Sequence, residues 1–295
     1  MIKIAYINFW DQPKNDMWFT KFIEHNISNV KCVEYYENPD ILFCSCFGNK
    51  NVNNIKAKCK IFFYGENLNN FPRYNNEKYL YDTYDLILGF KYTNPDKKLL
   101  RFPLWLMYYD FYDINTDNNI LNYIQIQYQN NCLKKKDIYA SIVANHDRGG
   151  QRIKIIKEFE KHGKIMSPAP FYNNTNRIGR SKKDKINYIS NGIYNICPEN
   201  SEYEGYFTEK IFQAFEGGTI PIYWAINLPE IDIINRNKYC FCNIYDKENM
   251  TKSIEDAVKF PEKYLKGNLF TDNAKNIVDN YYKDLIYNIK RLLCI

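Results

Sequence analysis

The sequence contains no apolar run of the ~20 residues that a membrane-spanning helix needs. Its first ten residues read as a β-strand rather than as a signal peptide, because the polar pair Asp11-Gln12 ends the apolar stretch at once. We therefore expect no membrane span, and we expect the localisation to be cytoplasmic.

Histidine is scarce, with three residues in 295, and the nine cysteines contain no C-x-x-C pair. Zinc sites are usually built from such ligands at close spacing, so we predict no metal site. The cysteines at 44 and 46, and those at 240 and 242, alternate within apolar segments that are typical of buried strands. Thiols of this kind favour a reducing compartment, which again indicates the cytoplasm.

Extended basic tracts are also missing, since the clusters at 134–136 and 180–183 are short and acidic residues interrupt the rest. A net charge of +6 distributed in this way does not favour nucleic-acid binding, so we predict no nucleic-acid partner. Tyrosine, in contrast, is abundant with 27 residues, and its ring offers a sugar an apolar face and a hydroxyl. Asn, Ile and Lys are abundant too, so A+T-rich coding also explains the tyrosines.

Apolar segments alternate with amphipathic ones through both halves of the chain. We predict strands at 3–8, 40–46, 60–64, 86–90, 137–144, 194–197 and 220–224. We predict helices at 18–23, 115–131, 150–161 and 208–216, with further helices from 253 to the end. This alternation is typical of parallel sheets covered by helices, so the predicted fold class is α/β. We place a domain boundary near residue 130, which gives domains at 1–130 and 131–295, and the last helices could pack back on the first domain.

The densest chemical signal lies at 195–211, where a predicted strand ends in a polar loop and the loop leads into a helix. Ligands of parallel α/β sheets bind at the carboxyl ends of strands, and helix N-termini bind phosphate. Lys210 could therefore meet a leaving diphosphate, and Glu209 could hold ribose hydroxyls. The alternative is an ordinary helix start, with Thr208 as its N-cap and Glu209 favourable to the helix dipole. The residues alone leave both interpretations open.

Three segments of the second half closely resemble the signature of the α1,3/α1,4-fucosyltransferases, glycosyltransferase family 10. They read NICPEN at 195–200, GYFTEKI at 205–211 and AFEGGTIPIYW at 214–224. Three segments of the first half are similar to the family's "TGEN", "DYxIGF" and "RxPL" segments. These read FYGEN at 63–67, YDLILGF at 84–90 and RFPLW at 101–105. The resemblance thus extends over almost the whole chain.

The resemblance implies a GT-B fold, in which two Rossmann-like domains face each other across a cleft. It assigns the acceptor to the N-terminal domain and the donor to the C-terminal domain. It also implies an inverting transfer of L-fucose from GDP-β-L-fucose to a hydroxyl of a GlcNAc-containing glycan, which forms an α-fucoside without a metal or other cofactor. Two alternatives stay open: transfer of another nucleotide-linked sugar, and a donor-binding protein without turnover.

At matching positions the resemblance makes Glu66 the general base, because inversion needs one carboxylate to take the acceptor proton. A purely structural role for Glu66 is the alternative. The positions that match donor contacts of the family are Asn200, Tyr206, Glu209 and Lys210, and we expect Asn145 to lie near the donor.

One further donor ligand is Arg152, which matches the arginine after the family's Ser-Asn segment. Here Ala144 replaces that serine, and Arg148 is a rival four residues earlier. We favour Arg152 because of its spacing to the predicted helix at 150–161. Trp10 and Trp18 could stack on an acceptor sugar, but we expect them to pack within a helix or the core.

Overall fold

The structure is a computed structural model that describes residues 1–94, 98–112, 119–228 and 230–295. The chain divides into two units. The first comprises Met1–Asn119, Tyr203–Tyr206 and Asn276–Ile295, and the second comprises Ile120–Glu202 and Phe207–Lys275. Each unit is built on its own sheet, as the alternation of apolar and amphipathic segments predicts.

Strands of the first unit form a parallel sheet. They are β1 (Ile2–Ile7), β2 (Val30–Cys32), β3 (Ile41–Cys44), β4 (Cys59–Phe63), β5 (Leu86–Gly89) and β6 (Leu99–Arg101). Their order across the sheet is β2-β1-β3-β4-β5-β6. The four strands predicted for this half are confirmed, and β2 and β6 are additions. Those two have three residues each, which is too short for a hydrophobic pattern to identify them.

The second unit holds a second parallel sheet. Its strands are β7 (Ile138–Ser141), β8 (Ile165–Met166), β9 (Gly192–Ile196), β10 (Ile220–Tyr223) and β11 (Cys240–Phe241). Their order is β11-β10-β9-β7-β8, so β9 lies directly beside β7. The predicted strands at 137–144, 194–197 and 220–224 are confirmed. Because both sheets are parallel, the loops that follow the strands gather at one edge of each sheet.

Helices connect the strands in both units. In chain order they are α1 (Trp18–Asn26), α2 (Glu77–Thr83), α3 (Ile120–Cys132), α4 (Gln151–Phe159), α5 (Lys182–Ile189), α6 (Lys210–Glu216), α7 (Lys247–Lys259), α8 (Glu262–Leu265) and α9 (Ala274–Leu293). The predicted helices are therefore present, although residues 115–118 of one of them lie outside the described residues. The sequence analysis missed α2 and α5, and the capping box of Ser181 and Asp184 was the available signal for α5.

Aromatic rings fill the core of the first unit. Trp18 on α1 is buried and stacks on Phe22 with ring centroids 4.8 Å apart, and Tyr282 of α9 packs against both rings. Phe19 stacks on Phe43 of β3 at 4.6 Å. Trp18 is thus a core residue, as expected, and burial of each large aromatic ring stabilises the unit by about 1.5–3 kcal/mol.

The C-terminal ends of α3, α5 and α6 meet at one lysine. Nζ of Lys136 donates hydrogen bonds to the carbonyl oxygens of Asn131, Ser190 and Gly217, at 3.0, 2.8 and 3.4 Å. Gly218 ends α6 with a φ of +64°, and a Cβ there would lie 2.3 Å from the backbone nitrogen of Cys132. Helices α5 and α6, which carry Lys185 and Lys210, are therefore held together at their C-terminal ends.

All nine cysteines are unpaired. Cys44 and Cys242 are completely buried, and burial raises the pKa of the Cys46 thiol to about 12. Cys294 near the C-terminus is exposed. The four alternating cysteines are buried as predicted, but only Cys44 and Cys240 lie within strands, whereas Cys46 and Cys242 follow them.

Across the described residues, every helix is too short or too polar to span a bilayer.

Candidate functional site

A buried carboxylate organises the loop between β9 and α6. Glu199 is 0% exposed, and its Oε1 accepts hydrogen bonds from the backbone N–H of Thr208 at 2.8 Å and the hydroxyl of Tyr223 at 3.1 Å. Its Oε2 accepts from the Thr208 hydroxyl and from Nζ of Lys210, both at 2.8 Å. Four donors thus balance the cost of burying this charge. The sequence analysis assigned no role to Glu199, although it stands in the motif at the end of β9.

Lys210 is the first residue of α6, and its side chain is 13% exposed. Burial lowers the pKa of Lys210, but the Glu199 and Glu209 carboxylates outweigh this and hold it above its usual value. For Glu209, burial raises the pKa, and the charges of Lys210 and Lys185 outweigh it and hold it low. Both predicted donor residues therefore lie together as a charged pair.

The structure does not show the alternative interpretation, in which Thr208 is the N-cap of an ordinary helix start. Glu209 occupies the N-cap position of α6 and makes no capping hydrogen bond through its side chain. The Thr208 hydroxyl donates to Glu199 instead and accepts from Nζ of Lys210 at 2.7 Å. The segment Thr208-Glu209-Lys210 is shaped by this buried carboxylate rather than by an ordinary cap.

Arg152 and Asn200 are in direct contact, although 48 residues separate them in the chain. The Arg152 guanidinium donates to the Asn200 side-chain oxygen and to the carbonyl oxygen of His146. The Asp147 carboxylate caps α4 by accepting from the backbone N–H groups of Arg152 and Ile153, at 3.0 and 2.9 Å. Arg152 is 6% exposed. Two of the predicted donor residues are therefore brought together by adjacent strands β7 and β9.

The other predicted residues of this loop are placed differently. Arg148, the rival of Arg152, is exposed. Asn145 is exposed as well, and its side chain makes no hydrogen bond to any described residue. Arg152 is therefore buried in contact with another predicted donor residue, whereas its rival Arg148 is exposed.

Tyr206 is grouped with the first unit, together with the rest of Tyr203–Tyr206. Its ring packs on Phe90 with centroids 4.7 Å apart, and it is buried. The neighbouring Gly205 has a φ of +68°, and its carbonyl oxygen accepts from the Arg101 guanidinium at 3.2 Å. A Cβ on Gly205 would lie 2.1 Å from the carbonyl oxygen of Phe90, so only glycine fits.

Glu66 follows β4 at the carboxyl end of the first sheet, and its side chain is half-buried. It lines an open cavity of about 510 Å³, whose other walls are Trp10, Asp11, Gln12, Met17, Trp18, Leu104, Met107 and Tyr108. Trp10 is half-buried and also packs on Phe47 and Phe63. The first unit therefore presents a carboxylate within a cavity that has aromatic walls.

Lys185 on α5 is a basic residue of the second unit that the sequence analysis missed. It is half-buried, and its charge acts on Glu209. The sequence feature that could have identified it is the short basic cluster at 180–183, because Lys185 follows that cluster on helix α5.

No cluster of three or more His, Cys, Asp or Glu side chains within the described ranges is placed to hold a metal ion.

The sequence matches two family descriptions. Residues 4–108 match "Alpha-(1,3)-fucosyltransferase FucT N-terminal domain", and residues 132–266 match "Glycosyltransferase family 10 (fucosyltransferase) C-term". An alpha-(1,3)-fucosyltransferase FucT of Helicobacter pylori is 23% identical over 314 residues, which cover 97% of this chain and 63% of that protein. The chain thus spans less than two thirds of the length of this relative.

Two solved structures have the same fold. A crystal structure of an alpha1,3-fucosyltransferase superposes with a TM-score of 0.71 at 18% identity, covering 100% of this chain and 90% of that one. A second, of an alpha1,3-fucosyltransferase with GDP-fucose, gives 0.69 at 19% identity, covering 99% and 90%. The predicted GT-B fold class is confirmed.

Proposed function

This chain belongs to glycosyltransferase family 10, the fucosyltransferases, and on that premise we propose that it transfers L-fucose from GDP-β-L-fucose to a hydroxyl of a glycan. The proposed reaction inverts the anomeric centre and forms an α-fucoside of the α1,3/4 type. The proposed acceptor contains GlcNAc. We assign the acceptor to the N-terminal half and the donor to the C-terminal half.

The observation that carries the proposal is the arrangement of Arg152, Asn200, Glu209 and Lys210 in the second unit. Arg152 contacts Asn200, and Lys210 is held by Glu199 beside Glu209. When the donor's glycosidic bond breaks, negative charge grows on the leaving GDP. Fixed guanidinium and ammonium groups stabilise such charge strongly, because they need no rearrangement during the reaction. The proposed donor site is therefore preorganised.

Glu66 is the proposed general base. Its carboxylate lies at the wall of the cavity in the first unit, where an acceptor hydroxyl could reach it. Removal of the hydroxyl proton during attack makes the oxygen a better nucleophile. The rings of Trp10 and Tyr108 in the same cavity suit the apolar face of a sugar.

We propose that the reaction needs no metal, since Arg152 and Lys210 supply the positive charge at the diphosphate. We also propose a cytoplasmic location, because nine unpaired thiols suit a reducing compartment.

Incubation with GDP-fucose, GDP-mannose, UDP-galactose and UDP-GlcNAc tests the donor. If GDP-fucose is the one sugar nucleotide of the four that is slowly hydrolysed, the proposal is supported. Hydrolysis of another of the four supports the alternative transferase. If a sugar nucleotide binds but is neither hydrolysed nor used for transfer to GlcNAc-terminated glycans, the chain is a donor-binding protein. Transfer in the presence of excess EDTA tests the need for a metal, and NMR of the product determines the anomer.

A further inference from the structure

We propose that Lys185 is a third cation of the diphosphate site and binds phosphate oxygens of the donor together with Arg152 and Lys210. This inference rests on the proposed donor site and adds a residue that lies outside the segments that resemble the family's signature.

The first support is the convergence of basic groups in the second unit. Helix α5, which carries Lys185, packs on α6 and on β9, the two elements that carry the motif. The charge of Lys185 acts on Glu209, Lys210 and Arg152. A single cluster therefore contains three cations and the two carboxylates of Glu199 and Glu209.

The second support comes from the hydrogen bonds and ion pairs that each of the three cations makes within the protein. Lys210 is paired with Glu199 at 2.8 Å, and Arg152 donates to Asn200 and to a backbone carbonyl. The ammonium of Lys185 makes no hydrogen bond and no ion pair with any residue in the described ranges. It is half-buried nevertheless. Lys185 is thus the cation of this cluster whose charge no hydrogen bond or ion pair from the described part of the chain satisfies.

The neighbours of Lys185 on α5 show that its position is distinctive. Lys182 pairs with the buried carboxylate of Glu216 at 3.0 Å, and Lys183 points to solvent. Of the three, only Lys185 is half-buried and makes no hydrogen bond or ion pair through its ammonium to any described residue.

In the free protein, the positive charge of Lys185 is electrostatically unfavourable. Burial lowers the pKa of Lys185; Glu209 opposes this, while the charges of Lys210 and Arg152 add to it. Like charges in a partly dehydrated site repel each other, and a bound dianion would relieve the repulsion. A diphosphate has the charge and the acceptor oxygens to do so.

The experiment compares Lys185→Met with Lys183→Met, which removes the same charge from the exposed face of the same helix. Titration calorimetry is performed with GDP, guanosine and inorganic pyrophosphate. We expect Lys185→Met to bind GDP and pyrophosphate about 10- to 100-fold more weakly, the scale of one charge-assisted hydrogen bond. Guanosine binding should not change. Lys183→Met should behave as the wild type, and Lys185→Arg should restore most of the affinity.

Unchanged GDP and pyrophosphate binding by a folded Lys185→Met protein would overturn the inference. An equal loss in Lys183→Met would also overturn it, because the effect would then be one of net charge. A parallel loss of guanosine binding would indicate a structural role and contradict it too. Melting temperatures of the variants establish that they are folded.

The test separates this inference from the proposed function. Lys185-dependent pyrophosphate binding without turnover of any sugar nucleotide would support the inference and contradict the transferase. If the protein turns over GDP-fucose but Lys185→Met binds GDP as tightly as the wild type, the transferase is supported and the inference about Lys185 is contradicted. A wild-type protein that binds neither GDP nor pyrophosphate would overturn both.

Discussion

Nζ of Lys210 lies 2.8 Å from Oε2 of Glu199, a carboxylate that solvent does not reach. The pair is buried at the start of α6, so the lysine is held in one place before any ligand arrives. A side chain that is already fixed loses little conformational freedom on binding. The ion pair therefore links the stability of the second unit to its affinity for anions.

Replacement of Glu199 with Gln should reveal this link. The variant keeps the size of the side chain but leaves the Lys210 ammonium without its counter-charge. Breaking a buried pair from one side costs about 3–5 kcal/mol, and the partial exposure of Lys210 places the expected loss at the lower end. GDP should then raise the Tm of Glu199→Gln more than that of the wild type, because its phosphates replace the missing charge. Differential scanning fluorimetry measures both effects.

Glu216→Gln is the matched control for that experiment. Glu216 is 2% exposed and pairs with Lys182 at 3.0 Å, at the opposite end of α6. Its loss should lower the Tm without changing the shift that GDP produces. Equal GDP shifts in the two variants would refute the link between Glu199 and the anion site.

Affinity for GDP should depend on Lys210 and Arg152. Each side chain can make a charge-assisted hydrogen bond to a diphosphate oxygen, so Lys210→Ala and Arg152→Ala should each weaken binding by roughly 1.5–3 kcal/mol. Titration calorimetry provides the measurement, and Arg148→Ala on the exposed loop serves as the control. Wild-type affinity in both folded variants would mean that the donor binds elsewhere.

Turnover, in contrast, should depend on Glu66. Glu66→Gln keeps the side chain's size but cannot accept the acceptor proton, so kcat should fall by roughly 100-fold or more. GDP affinity should hardly change, because Arg152 and Lys210 remain intact. Asp11→Asn changes another carboxylate of the same cavity and should retain most of the activity. If Glu66→Gln transferred fucose at nearly the normal rate, another carboxylate would have to be the base.

Gly205→Ala should destabilise the protein more than Gly150→Ala. Both glycines have a positive φ, +68° and +72°, which costs an alanine about 1–2 kcal/mol. Only Gly205 adds a steric conflict, because its Cβ would lie 2.1 Å from the Phe90 carbonyl oxygen, whereas a Cβ on Gly150 meets no atom within 4 Å. Urea unfolding of both variants gives the difference. Equal losses would mean that the segment at Gly205 moves aside without penalty.

Long apolar segments allowed most of the strands to be predicted. Strand β3 and strand β10 consist entirely of buried residues, so their sequences differ clearly from the flanking loops. The two-residue strand β8 has no such pattern and becomes a strand only by pairing with β7.

The candidate site was less accessible to prediction, because its contacts depend on the order of the strands. Arg152 meets Asn200 since β9 pairs with β7, although β8 lies between them in sequence. Glu199 is important because it is buried. Lys185 is important because of the orientation of α5. Neither property can be read from residue types alone.

Buried thiols are distributed evenly between the two units, and this gives the protein an internal reporter of how it unfolds. Each unit contains three buried cysteines: Cys44, Cys46 and Cys59 in the first, and Cys197, Cys240 and Cys242 in the second. A thiol reagent added during slow denaturation would modify the exposed Cys294 first and each buried set only when its own sheet opens. Peptide mass mapping over time would thus distinguish stepwise from concerted unfolding, without any engineered label.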